Sequence, residues 1–385
     1  MTHNARPSFA EHPVALGSFL SWIRLVMNSS GIDRAYLLRA GFVAFTTLVT
    51  SPLRFWEWLR YGVAIRRTSI HPSPIFIIGH WRSGTTHLHN LLCQDTNLGT
   101  LSTFQAMAPG FCIVGDKRIK PVLAKLARKR YSTRLIDNIP LAFDAPQEDE
   151  FAIASLSPRS FLHAFTFPRQ ADDFFNKYVL FQDLPESDRG QWRDVYLRLL
   201  RKVTFNSRGK RLVIKNCAHS ARIETLLELF PDAKFIHIHR NPYEVFLSTV
   251  HMHKTVLPRS QLQDITLDQI EANILRFYTQ LMDRYHRDKV LIPEGNLAEI
   301  RYEDLEREPL DQLRILYDQL GLPGFADAEA DFQAYIESVF DYKKNSYTLD
   351  DRVIAKVNQH WQVAFEEWGY DRIESPLQAA GNVGG

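Results

Sequence analysis

From Pro74 onward the chain repeats one pattern: a short apolar run, a polar loop, then a longer segment with helical spacing. Residues 75–79 read as a strand, with a helix from about Thr86. Strands at 211–215 and 234–239 precede helices at about 221–230 and 243–252, and a strand at about 297–302 leads into a helix at about 304–320. The run Lys234-Phe-Ile-His-Ile-His239 alternates apolar and polar positions, as a strand does when its side chains point to opposite faces. Strands alternating with helices predict an α/β fold, a central parallel sheet flanked by helices. Ligands of such sheets gather beyond the C-terminal strand ends, where Arg82, Lys215 and Arg240 fall. Residues 1–70 show helical patterning without strand signals and read as an N-terminal helical extension packed on the core. Residues 71–375 form the main domain, 100–205 being a largely helical insertion over the site; 376–385, ending Ala380-Gly-Asn-Val-Gly-Gly385, is a flexible tail.

The first strand runs into Gly79-His-Trp-Arg82-Ser83-Gly84-Thr85-Thr86-His87. A strand, a tight glycine loop and a helix start aim backbone N–H groups at an anion, usually a phosphate. The spacing is the G-x-x-x-x-G of a nucleoside-triphosphate loop, but Thr85-Thr86 stands where that loop needs Lys-Ser/Thr, and the cation is Arg82, inside the loop. A nucleotide phosphate fits this arrangement; Mg-dependent phosphoryl transfer does not. Gly and Thr here also suit a plain turn with helix caps. A second site follows at His239-Arg240-Asn241-Pro242, where Arg240 ends a strand, Pro242 suits the first helical turn, and Ser248 lies about two turns on at ~3.6 residues per turn. Arg suits phosphate because its planar fork donates two parallel hydrogen bonds.

Arg82-Ser-Gly-Thr-Thr86 after an apolar strand resembles the 5′-phosphosulfate loop of sulfotransferases, which use 3′-phosphoadenosine 5′-phosphosulfate (PAPS) as sulfuryl donor. Arg240 and Ser248 are similar to the pair that holds the nucleotide 3′-phosphate in that family. Ile300-Arg-Tyr-Glu-Asp-Leu305 resembles its strand-to-helix junction, and the basic loop around Lys343 and Lys344 falls about where relatives carry an Arg-Lys-Gly loop on the 3′-phosphate. The resemblance spans about residues 74–350, is that of the bacterial branch, and implies a P-loop NTPase-like sulfotransferase fold. It implies transfer of a sulfuryl group from PAPS to a hydroxyl of a small-molecule, lipid or carbohydrate acceptor, without a metal. In that scheme Arg82 stabilises charge growing on the bridging oxygen, Ser83, Gly84, Thr85 and Thr86 hold the 5′-phosphate, and His87 stacks on adenine or contacts the acceptor. The alternatives are a nucleotide kinase or other P-loop NTPase, and an inactive nucleotide-binding scaffold.

The acceptor hydroxyl needs a base, and here the chain departs from its relatives. Cytosolic sulfotransferases place a His two residues after the strand-ending Lys; here Cys217 stands there and His219 follows two further on. The remaining candidates lie in Asp144-Ala-Pro-Gln-Glu148-Asp-Glu150. Adjacent carboxylates repel, and buried together they would raise at least one pKa toward the range of a general base. Glu148 is favoured, then Glu150, with His219 close behind; the acidic run also suits a helix start.

Net charge is +2, so nothing global points to nucleic acid. Basic residues from Lys117 to Arg130 read as a solvated helix face or a headgroup patch. Three cysteines, none metal-spaced, fit a reducing cytoplasm. The apolar stretch 41–50 and the aromatic run Phe55-Trp-Glu-Trp-Leu59 read as a helix packed on its own domain, or as an interfacial helix giving peripheral membrane contact.

Overall fold

The computed structural model describes residues 12–130, 142–340, 345 and 347–374, with side chains left aside at 128–130. Lys343, Lys344 and the C-terminal tail lie outside the described residues.

Five parallel strands form one sheet in the order β2-β3-β1-β4-β5, with β1 Ile75–Ile78, β2 Leu98–Gly99, β3 Arg211–Lys215, β4 Lys234–His239 and β5 Leu297–Arg301. Four of these follow from the sequence; β2 is two residues long, too short to show an alternation. A parallel sheet is covered on both faces, so its strands are apolar at nearly every position. Phe76, Ile78, Leu212, Ile214 and Phe235 face the helix Glu186–Asn206 through Trp192, Tyr196 and Leu199. Their neighbours Ile75, Ile77, Val213, Ile236 and Ile238 face the opposite layer, built by Leu88 and Leu91 and by Leu313, Leu316 and Leu320. Alternate residues of one strand thus belong to two different cores.

Two helices differ from expectation. The one after β4 runs Pro242–Ser260, past the predicted end at 252, with Pro258 inside its last turn. The one after β5 is two helices, Tyr302–Arg307 and Pro309–Leu320, because a proline at 309 starts a helix more readily than it continues one. N-terminal helices α1 (Phe19–Met27), α2 (Leu37–Val49) and α3 (Ser51–Arg67) lie against the domain. Ser21 Oγ donates to the Leu156 carbonyl, and Arg39 donates to the carbonyls of Pro258 and Gln261 at 2.8 Å each.

Candidate active site

The loop after β1 is shaped by positions that a side chain rarely allows. Gly79 has φ +139°, and a Cβ there would fall 2.3 Å from the Ile238 carbonyl oxygen of β4. Only glycine lets the chain leave between the two strands. Gly84 has φ +97°, and a Cβ would meet the Tyr302 ring at 2.2 Å. Between them Arg82 adopts φ +71°, an uncommon conformation for a residue with a side chain. Such backbone strain gathers at functional sites. Helix α4, Thr85–Leu92, starts immediately after Gly84, so its first-turn N–H groups and positive dipole end face the mouth of the loop. Ser83 and Thr85 are buried, while Thr86 and His87 are half-buried beside them.

Ser248 meets Arg82, not Arg240. Arg82 Nε donates to Ser248 Oγ at 2.9 Å, and the Tyr347 hydroxyl lies 3.3 Å from the same oxygen. Arg240 lies over the Tyr302 ring at 4.4 Å and reaches Glu244 at 3.4 Å. Asn241 sets this up as the cap of Pro242–Ser260, accepting from the N–H groups of Tyr243 and Glu244. Tyr302 is therefore shared: it underlies Gly84, carries Arg240 and stands edge-on to His87 at 6.4 Å. The sequence marks its strand-to-helix junction only by a family resemblance and does not single it out. Its one signal was its place at the C-terminal end of a parallel strand. At that junction Glu303 accepts from the N–H of Asn241 and from the Tyr370 hydroxyl.

The acidic run lies across the end of β3, with the Asp149 N–H donating to the Lys215 carbonyl. Each of its three buried carboxylates has its own partner. Glu148 pairs with Lys215 at 2.8 Å. Asp149 accepts from Asn216 at 2.5 Å and lies 3.1 Å from His219, whose ring also meets the Tyr196 hydroxyl at 2.9 Å. Glu150 starts the helix Glu150–Leu156 and pairs with Arg222 at 2.8 Å, accepting also from Asn216, Ser160 and the Phe161 N–H. Burial alone would push the Glu150 carboxyl up, but the Arg222 charge and these hydrogen bonds outweigh it and hold the group at about 2. Glu150 and His219 are sealed in this network, with side chains 3% and 0% exposed, whereas Glu148 keeps 10%.

Cys217 ties the two halves of the site together. Its sulfur lies 3.7 Å from Thr85 Oγ1 of the loop. Burial pushes its thiol up, the Glu148 charge pushes it further, and Lys215, Thr85 and Arg82 pull the other way. Arg82, Lys215 and Glu148 therefore lie within electrostatic reach of one buried atom. The glycine loop, two cations and Glu148, which keeps a little exposed surface, share one end of the sheet.

The sequence profile described as the sulfotransferase family matches residues 74–327, which contain the loop, the acidic run and Arg240. The chain belongs to that family. It is 34% identical over 370 residues to the omega-hydroxy-beta-dihydromenaquinone-9 sulfotransferase Stf3 of Mycobacterium bovis, covering 96% of this chain and 94% of that protein. A Mycobacterium tuberculosis protein of the same name matches to the same extent. In fold it is similar to the crystal structure of sulfotransferase STF9 from Mycobacterium avium, with a TM-score of 0.69 at 19% identity over 92% of this chain and 90% of that one. Sulfotransferase STF1 from Mycobacterium tuberculosis H37Rv matches with a TM-score of 0.64 at 18% identity, over 90% and 89% of the two chains. The protein is thus a sulfotransferase enzyme, and the kinase and NTPase readings fall away.

Proposed function

We propose that this sulfotransferase moves the sulfuryl group of PAPS to a hydroxyl of an apolar, lipid-like acceptor, with Glu148 as the general base. The observation that carries the reading is the Glu148–Lys215 pair beside the Arg82 loop, with Cys217 between them. The loop and the start of α4 hold the 5′-phosphate through Ser83, Gly84, Thr85 and Thr86. Ser248 and Arg240 bind the 3′-phosphate, with Lys343 and Lys344 as further candidates. The acceptor oxygen attacks sulfur, its proton passes to Glu148, and the sulfur–oxygen bond to the 5′-phosphate breaks. Negative charge then grows on the bridging oxygen, where Arg82 and Lys215 are best placed to stabilise it. Glu150 and His219 support this indirectly, by fixing Asn216 and the end of β3.

The acceptor class rests on two facts. The relatives that match almost the whole chain are named for a hydroxylated dihydromenaquinone. A shallow apolar cleft is lined by Phe161, Phe165, His253, Leu257 and Phe277, and Phe161 packs on Trp81 of the loop at 5.1 Å. The three unpaired cysteines fit work in a reducing cytoplasm.

Calorimetry with adenosine 3′,5′-bisphosphate, with and without a chelator, together with PAPS turnover on hydroxylated prenylquinones, simple phenols and sugars, tests this. Chelator-insensitive binding and preference for the quinone are expected. Binding only with Mg overturns the donor scheme, and preference for a sugar overturns the acceptor class.

A further inference from the structure

We propose that the outward face of α2 and α3 docks the enzyme, lying flat, on an anionic lipid bilayer. Arg34–Arg67 is long and apolar enough, by length and composition, to cross a membrane. Its packing argues for another orientation. Val43, Thr47, Glu57 and Ile65 are buried at regular helical spacing along its length. Glu57 accepts from the N–H groups of Ile113 and Val114 and from Lys202, and Arg39 caps the carbonyls of Pro258 and Gln261. A spanning orientation would strip all of these, so the helices stay on the domain and present only their other side.

That other side is apolar far beyond ordinary surface. Leu38, Phe45, Leu48, Phe55, Trp56 and Leu59 recur at helical spacing across the α2–α3 junction, and each is at least half exposed. Contiguous exposed apolar surface of this kind marks an interaction site. Charge identifies the partner. The only carboxylate from Arg34 to Arg67 is Glu57, and it is buried, while Arg34, Arg60, Arg66 and Arg67 are exposed. Leu53 of α3 shares the apolar cluster around Phe104 and Phe111 with Ile119 and Leu123 of the helix Ile119–Arg130, where the exposed carboxylates Asp116 and Asp144 are both paired with Lys120, at 2.6 and 2.8 Å. From Arg34 to Arg67, aromatic and aliphatic side chains flanked by arginine, with no exposed acid, match the boundary between acyl chains and anionic headgroups. A water-soluble protein partner gives no reason for excluding every exposed carboxylate from this stretch.

Docking deepens the acceptor reading above and rests on it, because it brings the enzyme to the surface where lipid alcohols reside. The test uses neither donor nor acceptor, so its failure leaves that reading standing. The intact protein is floated with vesicles of phosphatidylcholine alone or mixed with phosphatidylglycerol, and Trp emission is followed in parallel. Binding to the mixed vesicles with a blue shift is expected, weakened by salt. Phe45→Glu/Trp56→Glu should reduce it at least about tenfold, and Arg60→Glu/Arg66→Glu should remove the preference for anionic lipid. Both variants change exposed side chains, and unchanged melting would show them folded. Failure of the wild type to float with anionic vesicles overturns the proposal, as does equal flotation of folded Phe45→Glu/Trp56→Glu. So does a dimer in light scattering that this double variant dissolves, since the face would then bind a second copy.

Discussion

Glu148 and Glu150 stand two residues apart in one acidic run, and each meets a basic side chain at 2.8 Å. Their surroundings make them opposites. Glu150 has Arg222, Asn216, Ser160 and a backbone N–H around a carboxylate that is 3% exposed. Every acceptor site is used, and the charged form is locked in. Glu148 has Lys215 and a side chain that keeps 10% of its surface, beside the loop that would hold the donor. An ammonium is a single-point partner that can turn toward a bridging oxygen, whereas a guanidinium holds its carboxylate in a fixed fork. Pairing with a cation is therefore not what separates a structural carboxylate from a catalytic one. In the proposed scheme, completeness of hydrogen bonding and residual exposure are.

The largest effect that can break this contrast is on rate. Glu148→Gln keeps shape and removes the basic site, and loss of a general base costs about 100- to 10,000-fold. Steady-state turnover should fall by that order, while calorimetry shows bisphosphate binding retained. Near-normal turnover would make Glu148 a second structural carboxylate.

Next is stability at the other pair. Glu150→Gln leaves Arg222 buried without its counter-charge, which typically costs about 3–5 kcal/mol, read as a lowered melting temperature. Acid sharpens the point. The folded-state pKa of Glu150 is held at about 2 against an ordinary value of 4.5, so its contribution is complete above 4.5 and lost as pH falls toward 2. Wild type should lose stability across that window, and Glu150→Gln should show a flatter dependence in urea titrations. Equal slopes would mean that the pair does not hold the carboxylate down.

The smallest effect concerns the two arginines. In the proposed scheme Arg240 faces a phosphate that does not react, so Arg240→Ala should weaken bisphosphate binding about tenfold or somewhat more, the value of a lost charge-assisted hydrogen bond of ~1.5–3 kcal/mol. Arg82→Ala should lower kcat more than it lowers affinity, because its proposed partner is charge that appears in the transition state. Similar losses of rate and affinity in both variants would merge the two roles.

The order of strand, glycine loop and helix could be read along the chain, because periodicity and φ-permissive residues are local properties. So could the family, from Arg82-Ser-Gly-Thr-Thr86 and Arg240, and the parallel sheet, from strands that alternate with helices. Pairings between distant segments could not. Ser248 with Arg82, Tyr302 beneath Gly84 and Arg222 on Glu150 join residues 166, 218 and 72 positions apart, and no period or spacing encodes such contacts. Nor could the sequence say which side of α2 and α3 would remain uncovered, since their apolar residues surround most of each helix. Composition set which groups were available. Burial, which depends on how every element packs, decided which carboxylate was sealed, which kept some exposed surface, and which apolar face was left outside.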